Sequence, residues 1–482
     1  MDKITKMNAI MNKISVIAMT IYVGYSVFQS STLSLSIGND YFIAVTFLLL
    51  CVNLLTAILS HKISFSLKKT DNIWKLFKPL DFVVLFFIAM NAVWMTIVPK
   101  MQGVAISQAI AEAGMLLVFI LYFPLAFLIR LKEFDFKVIV KVFYYSCLIL
   151  AVGHIVFWFG ELFGLNAVRK FLYLLEDNPL FVTGSFIKGW GIVRVVFPNS
   201  VLLIVGLILS MAKKEKYRAW DYVCMVIFVF AILCTFLKSI WFGLAAACVI
   251  CLVYSLFKMK KPRFNNIVKS FVTICIVTII LNFTVFGNAV SVRTFNAFIH
   301  GDSLGAASKI FTQTYDIFNI VSLPNISDTE DPDDAENQFD ASKDIEGATF
   351  SNNIKLEQTK RLLARWGESP LIGFGYGSSL PDYLRSETQP YSYEMTFPAM
   401  LMKMGVIGFS SWIILGLAAL ITLLKNSKKN PLHFVIWFAI GVGLIIAVQT
   451  NPLLLSANAL NLLVYLILYC VYAQRRKNEV SE

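Results

Sequence analysis

The chain has 482 residues, of which 57% are hydrophobic and only 15% charged, with a mean hydropathy of +0.70. Soluble domains are about 45–50% apolar and roughly 25% charged, and the 41 Phe residues here exceed what one or two soluble cores can hold. The apolar runs must face lipid, which excludes a disordered, collagenous or disulfide-stapled secreted protein and removes nucleic acid as the explanation of a net charge of +12.

A bilayer core takes about 20 apolar residues per helix. Windows of that size predict spans near 14–35, 41–60, 82–99, 114–129, 138–159, 193–212, 222–237, 239–257, 267–286, 404–424, 432–449 and 457–473. The fold class is therefore an all-α polytopic membrane protein of about twelve transmembrane helices. The first span lacks an A-x-A-like cleavage site and reads as a retained helix rather than a signal peptide. Sorting the loops alternately puts 27 basic and nine acidic residues on one side, leaving 15 basic and 21 acidic for the other. By the positive-inside rule the first side is cytoplasmic and holds both termini. All eight Cys lie within spans, so no disulfide framework is expected. Cys248 and Cys251 form a C-x-x-C without a redox fold around it, which favours packing.

The organisation that follows is spans one to nine over 1–286, a large outer loop over 287–393, and the last three spans with a short tail over 394–482. Cytoplasmic loops are too short for an ATPase, kinase or nucleotide-sugar transferase domain, so any chemistry belongs to the outer boundary. Within the large loop, residues 289–324 alternate apolar and polar positions, as one or two membrane-surface helices would. Residues 325–350 carry nine acids against Lys343 alone and read as a mobile linker. Calcium is disfavoured there, because Pro332 interrupts the run and an EF-hand glycine is missing. Residues 352–366, "NNIKLEQTKRLLARW", read as a helix. On it Arg361 and Arg365 lie four apart, placed either to grip a pyrophosphate or, for Arg361, to pair with Glu357. The "GESPLIGFGYGSS" that follows repeats glycine at 373, 375 and 377, suited to anion approach or to a plain turn.

Charges beside the spans are costly to bury and so more informative. Arg194 opens the sixth span, Lys238 separates the seventh from the eighth, Glu394 precedes the tenth, and Lys403 follows as a snorkelling candidate. Arg194, Lys238, Arg361 and Arg365 make a basic group on the side that is otherwise acidic, as a bound outer-leaflet phosphate requires.

Four segments resemble the O-antigen polymerase and O-antigen ligase superfamily of bacterial surface-polysaccharide assembly. "RVVFPNS" at 194–200 resembles its Arg and Pro-Asn turn; "TFLKSIWFGL" at 235–244 its Thr-x-Ser-Arg junction, with Lys238 in the Arg place. "RLLARWGESPLIGFGYGSS" at 361–379 resembles its Arg helix and Gly-rich turn, and "EMTFPAMLMKMGVIGFSSW" at 394–412 the segment after the large loop. "QTNPLLLSANALNLLVYLIL" before the last span is also similar. The His that the family's ligases carry eleven residues before Gly405 is Glu394 here, which favours polymerase over ligase.

The resemblance implies a metal-independent glycosyltransferase of the bacterial cytoplasmic membrane, needing no cofactor. It would transfer a growing glycan from undecaprenyl pyrophosphate to the next lipid-linked repeat in O-antigen, capsule or exopolysaccharide synthesis. Its partners would be the lipid-linked oligosaccharide, membrane lipid, and a chain-length regulator and flippase of the same pathway. It implies pyrophosphate contacts from Arg194, Lys238, Gly373 and Gly375, leaving-group stabilisation by Arg361 and Arg365, and Glu394 as base. An exposed acid or a partner of Lys403 is the other reading of Glu394. Tyr376, Tyr383, Tyr391, Tyr393 and Trp366 supply either sugar-stacking faces or an interfacial aromatic belt. A lipid-linked-oligosaccharide flippase is the rival reading, and a secondary transporter ranks behind it.

Overall fold

The computed structural model describes residues 3–29, 37–63, 73–168, 170–171, 185–189, 192–197, 199–212, 217–286, 290, 341–383, 389–427, 431–449 and 454–479. The first half comprises α1 (Lys3–Phe28), α2 (Ile37–Ser60), α3 (Pro79–Met101), α4 (Ile106–Ala113), a 3₁₀ stretch (Gly114–Leu121), α5 (Tyr122–Arg130) and α6 (Lys137–Leu162). Two strands follow, β1 (Ser185–Gly189) and β2 (Ile192–Val196), then α7 (Leu202–Ser210), α8 (Ala219–Cys234), α9 (Lys238–Lys258) and α10 (Lys261–Thr284). The chain closes with α11 (Ala341–Glu368), α12 (Thr396–Ser427), α13 (Pro431–Val448) and α14 (Ala457–Glu479).

Among the described residues, ten helical segments are long and apolar enough to cross a membrane, with Ile106–Arg130 counting as one. The fold is thus the expected all-α polytopic architecture. Two predicted spans are shorter than anticipated. The one near 193–212 begins as β2, which pairs antiparallel with β1 and sets Arg194 opposite Ile187. Its helical part, α7, is only 9 residues long. Almost all of α7 is buried, and a broken segment at membrane depth is tolerated where protein surrounds it. The span near 222–237 is α8, 16 residues long, ended by a three-residue break before Lys238. There the Thr235 hydroxyl donates to the Ile232 carbonyl at 2.7 Å and accepts the Leu237 N–H at 3.3 Å, while buried Phe236 takes a φ of +47°.

Helix starts follow the local sequence. Pro79 and Pro262 sit in the first turns of α3 and α10, where a missing N–H costs nothing. The Asp81 and Asp221 carboxylates accept the Lys78 and Arg218 N–H groups at 2.7 and 2.8 Å and fix the entries to α3 and α8. Packing then uses small residues. Gly243 of α9 and Gly443 of α13 meet so closely that a Cβ on either would collide with the other's carbonyl. Cys248 and Cys251 are buried in the same core as ordinary packing residues.

At one end of the bundle the basic loops converge. Arg130 binds Asp81 through two bonds of 2.7 and 2.8 Å and also donates to the Leu76 carbonyl at 2.7 Å. The Tyr122 hydroxyl donates to Asp81 at 2.6 Å, Arg475 reaches the Ile129 carbonyl at 3.2 Å, and His61 meets Glu133 at 2.8 Å. Segments that charge sorting assigns to one side therefore share one end. A paired buried carboxylate is costly to expose to solitude. Arg130→Met should destabilise the detergent-solubilised protein by about 3–5 kcal/mol. Arg130→Met with Asp81→Asn should recover most of the loss in thermal unfolding.

Candidate active site

The opposite end of α3 holds the sequence-predicted residues of the large loop. The helix carrying the two arginines is longer than 352–366, for α11 runs Ala341–Glu368. The last part of the acidic 325–350 tract is thus helical rather than linker. Residues 291–340, including the surface helices expected over most of 289–324 and the rest of that tract, lie outside the described residues.

Lys355, Gln358, Leu362 and Arg365 recur at helical spacing and form one face of α11. That face meets α12 and the residues before it. Lys355 pairs with Glu394 at 3.7 Å, and the buried Gln358 side chain accepts the Met395 N–H at 3.0 Å. Leu362 joins Phe374, Leu380, Tyr393, Ala399 and Met402 in a small apolar cluster. The Arg365 guanidinium lies 3.9 Å from the Phe374 ring centroid and pairs with Glu368. Arg361 is on the flank, bonded to Glu357 at 2.7 Å, with its guanidinium 5.4 Å from the Tyr383 ring. The i,i+4 pairing and the shared arginine face are therefore both present. Glu394 pairs with Lys355 and not with Lys403.

The Gly-rich turn fills a break in α12. Gly405 has φ +58° and ψ −173°, which interrupts the helix and frees backbone groups on both sides. Phe374 and Gly375 donate their N–H groups to the Met402 and Lys403 carbonyls at 3.1 and 2.7 Å. Val406 and Ile407 donate to the Pro370 and Leu371 carbonyls at 2.9 and 3.0 Å. The turn is also pinned to α3, through Tyr376 N–H to the Trp94 carbonyl at 3.1 Å and the Trp94 indole N–H to the Ile372 carbonyl at 2.7 Å. Gly373 donates its N–H to the Ser369 carbonyl at 2.8 Å. The Gly373 and Gly375 N–H groups assigned to pyrophosphate are thus occupied by protein carbonyls, and the turn acts here as a backbone plug.

Beneath the plug lies a pair that the sequence reading missed. Lys403 is 3% exposed and Glu112, on α4, 6%. The ammonium bonds to Glu112 and donates to the Tyr391 carbonyl at 2.6 Å, with the Tyr393 ring centroid 5.4 Å away. The other Glu112 oxygen accepts the Gly377 N–H at 2.6 Å. Lys403 is therefore an internal cation rather than a snorkelling one. Beside the pair is a cavity of about 40 Å³, lined among others by Tyr391, Ser392, Tyr393 and Thr396. It has room for water but not a sugar ring. Burial pushes the Tyr393 hydroxyl up to about 12 and also raises those of Tyr376 and Tyr391. All three are neutral near pH 7, so none is a base. The signal for Glu112 was an acid in "AISQAIAEAGMLL", beside a predicted span that began at residue 114.

Arg194 and Lys238 belong to a second group of elements. Arg194 is on β2, which packs against α6 and α8, and Lys238 begins α9 after the break that ends α8. The turn after Arg194 is fixed internally. His154 of α6 bonds to the Ser200 hydroxyl at 2.7 Å, Ser200 Oγ accepts the Phe197 N–H at 3.0 Å, and the Asn199 amide donates to the Val27 carbonyl at 2.5 Å. Arg361, Arg365 and Glu394 thus gather around α11 and α12, while Arg194 and Lys238 gather around α8.

Residues 223–413 match the model of the O-antigen ligase family. Over that segment the chain is similar to the O-antigen ligase family, in keeping with the resemblance read from its motifs. No curated protein matches the chain. The matched stretch contains Lys238, Arg361, Arg365, the Gly-rich turn, Glu394 and Lys403, and leaves Arg194 and Glu112 outside it.

The break at Gly405 gives a direct test. A Cβ there would collide with the Leu371 carbonyl, whereas one at Gly416 meets nothing within 4 Å. Gly405→Ala should cost about 2 kcal/mol or more and lower Tm in detergent, while Gly416→Ala should leave it essentially unchanged.

Proposed function

We propose that the protein is a polysaccharide polymerase of the bacterial cytoplasmic membrane, working at its outer face. It transfers a growing glycan from undecaprenyl pyrophosphate to the next lipid-linked repeat. In that reaction a hydroxyl oxygen of the acceptor forms a bond to the anomeric carbon of the donor. The carbon–oxygen bond to the pyrophosphate breaks, and the leaving group departs with the electron pair. The hydroxyl proton goes to a base.

The observation that supports this reading is the meeting of α11 and α12, along which two arginines and one carboxylate are set out. Arg365 and Arg361 supply planar cations for developing phosphate charge. Their present partners, Glu368 and Glu357, lie on the same helix surface at i+3 and i−4. Exchanging such partly exposed partners for a phosphate costs little. Glu394, immediately before α12, is the proposed base. Arg194 and Lys238 are proposed to meet a more distant part of the pyrophosphate-linked donor. Lys238 is helped by the positive end of α9. Gly373 and Gly375 shape the floor of the site by seating Phe374 under Arg365.

Ligation of a finished glycan to another lipid is the second reading, favoured by the family description of the matched segment. The two differ in what accumulates when the site fails. Arg361→Ala and Arg365→Ala should each lower polymerisation by about 100-fold, seen as loss of long chains in the glycan length profile. Single lipid-linked repeats should build up on the outer leaflet. Build-up of long, carrier-linked chains would indicate ligase, and build-up of single repeats on the inner leaflet a flippase. An unchanged glycan profile in both variants would remove these arginines from the site.

A further inference from the structure

The proposed site has two halves on different segments. Arg365 sits over Phe374 of the Gly-rich turn, and Glu394 belongs to the stretch 389–395 leading into α12. One buried carboxylate reaches the first directly and the second through a lysine. Glu112 accepts the Gly377 N–H with one oxygen and binds Lys403 with the other. Lys403 in turn holds the Tyr391 carbonyl at 2.6 Å, three residues before Glu394. We infer that Glu112 and Lys403 are positioning residues that set the separation between the leaving-group arginine and the base.

The inference rests on the function proposed above, and three features single this pair out. First, it is nearly free of solvent, so its geometry is held by its own bonds rather than by water. Second, each Glu112 oxygen serves a different segment, so displacing the carboxylate moves both. Third, Lys403 lies two residues before the break at Gly405, and its carbonyl accepts the Gly375 N–H. The same residue therefore clamps the turn with its backbone and the 389–395 stretch with its side chain. Reaction rates respond steeply to such separations, and a misplacement of about 1 Å can cost around 100-fold. Neither side chain is proposed to touch substrate.

The test is amide hydrogen exchange on the full-length protein in detergent, followed peptide by peptide across 373–377 and 389–395. Replacing a buried ion pair by neutral groups is often tolerated, so Lys403→Met with Glu112→Gln is the first variant. Its thermal unfolding should stay near that of the parent, while exchange across 389–395 rises at least tenfold. With lipid-linked repeats from the native host, kcat should fall tenfold or more and KM should hold within about twofold, since the arginines are untouched. Parental exchange in 389–395 with parental stability would overturn the inference. If the double variant does not fold, Glu112→Asp keeps the charge but withdraws the carboxylate by one methylene. Exchange should then rise in both segments together, and a rise in only one would overturn the shared role. Arg365→Ala in the same preparation reports separately on the proposed reaction. Full turnover in that variant would sink the polymerase site while leaving the exchange result standing.

Discussion

A helix interrupted in apolar surroundings leaves carbonyls on one side of the break and N–H groups on the other, and each must find a partner. In α12 the break at Gly405 is satisfied by residues 370–375, which supply two donors and two acceptors in register. Much of the candidate site depends on that fit. It draws the Gly-rich turn against α3, places Phe374 under Arg365, and lets α11 lie along the first part of α12. The glycine spacing matters because Gly373, Gly375 and Gly377 all adopt positive φ, and side chains at 375 or 377 would strike Pro99 or Ala109. What reads in sequence as either an anion-approach loop or a plain turn is, in this structure, the complement of a broken helix.

Charge plays three separate parts. Among the described residues, Arg130, Arg475 and His61 meet the connecting loops at one end of the bundle, the end to which sorting the sequence's charges assigns its basic surplus. It bears on orientation in the bilayer rather than on chemistry. The two buried pairs, Asp81–Arg130 and Glu112–Lys403, sit at opposite ends of α3 and tie segments distant in sequence. The pairs on α11 are different again, local to one helix and partly open to solvent.

The class of fold was legible because its signal is strong: apolar runs of span length and alternating basic loops. Two runs misled in length. In 193–212 the apolar character begins in a strand and continues into a helix of 9 residues, which hydropathy cannot distinguish from one continuous span. In 222–237 the break at Thr235–Leu237 contains no glycine or proline, and Phe236 takes its positive φ with its ring packed against Trp241 and Phe286. Arg361 and Arg365 were visible from their spacing on a loop helix and Glu394 as a charge before a span, and the structure sets all three along the junction of α11 and α12. Glu112 escaped because it stands outside the apolar window, in the 8-residue helix α4, and its partner is 291 residues away. No local pattern encodes a contact of that range.

On the proposed function, the contrast between these pairs lets the arginines take up an anion without first being locked onto their own carboxylates. An exposed pair is worth about 0–1 kcal/mol, because water and salt offer each charge nearly as much. Arg361 and Arg365 therefore lose little by releasing Glu357 and Glu368 for a doubly charged phosphate group that each guanidinium can meet with two parallel bonds. A buried pair cannot be traded in this way, since either member left alone costs several kcal/mol. Glu112 and Lys403 stay together whatever binds above them. On the proposed function the exchangeable pairs lie where the phosphate is taken up, and the fixed pair lies beneath them, where a moving charge would dismantle the support.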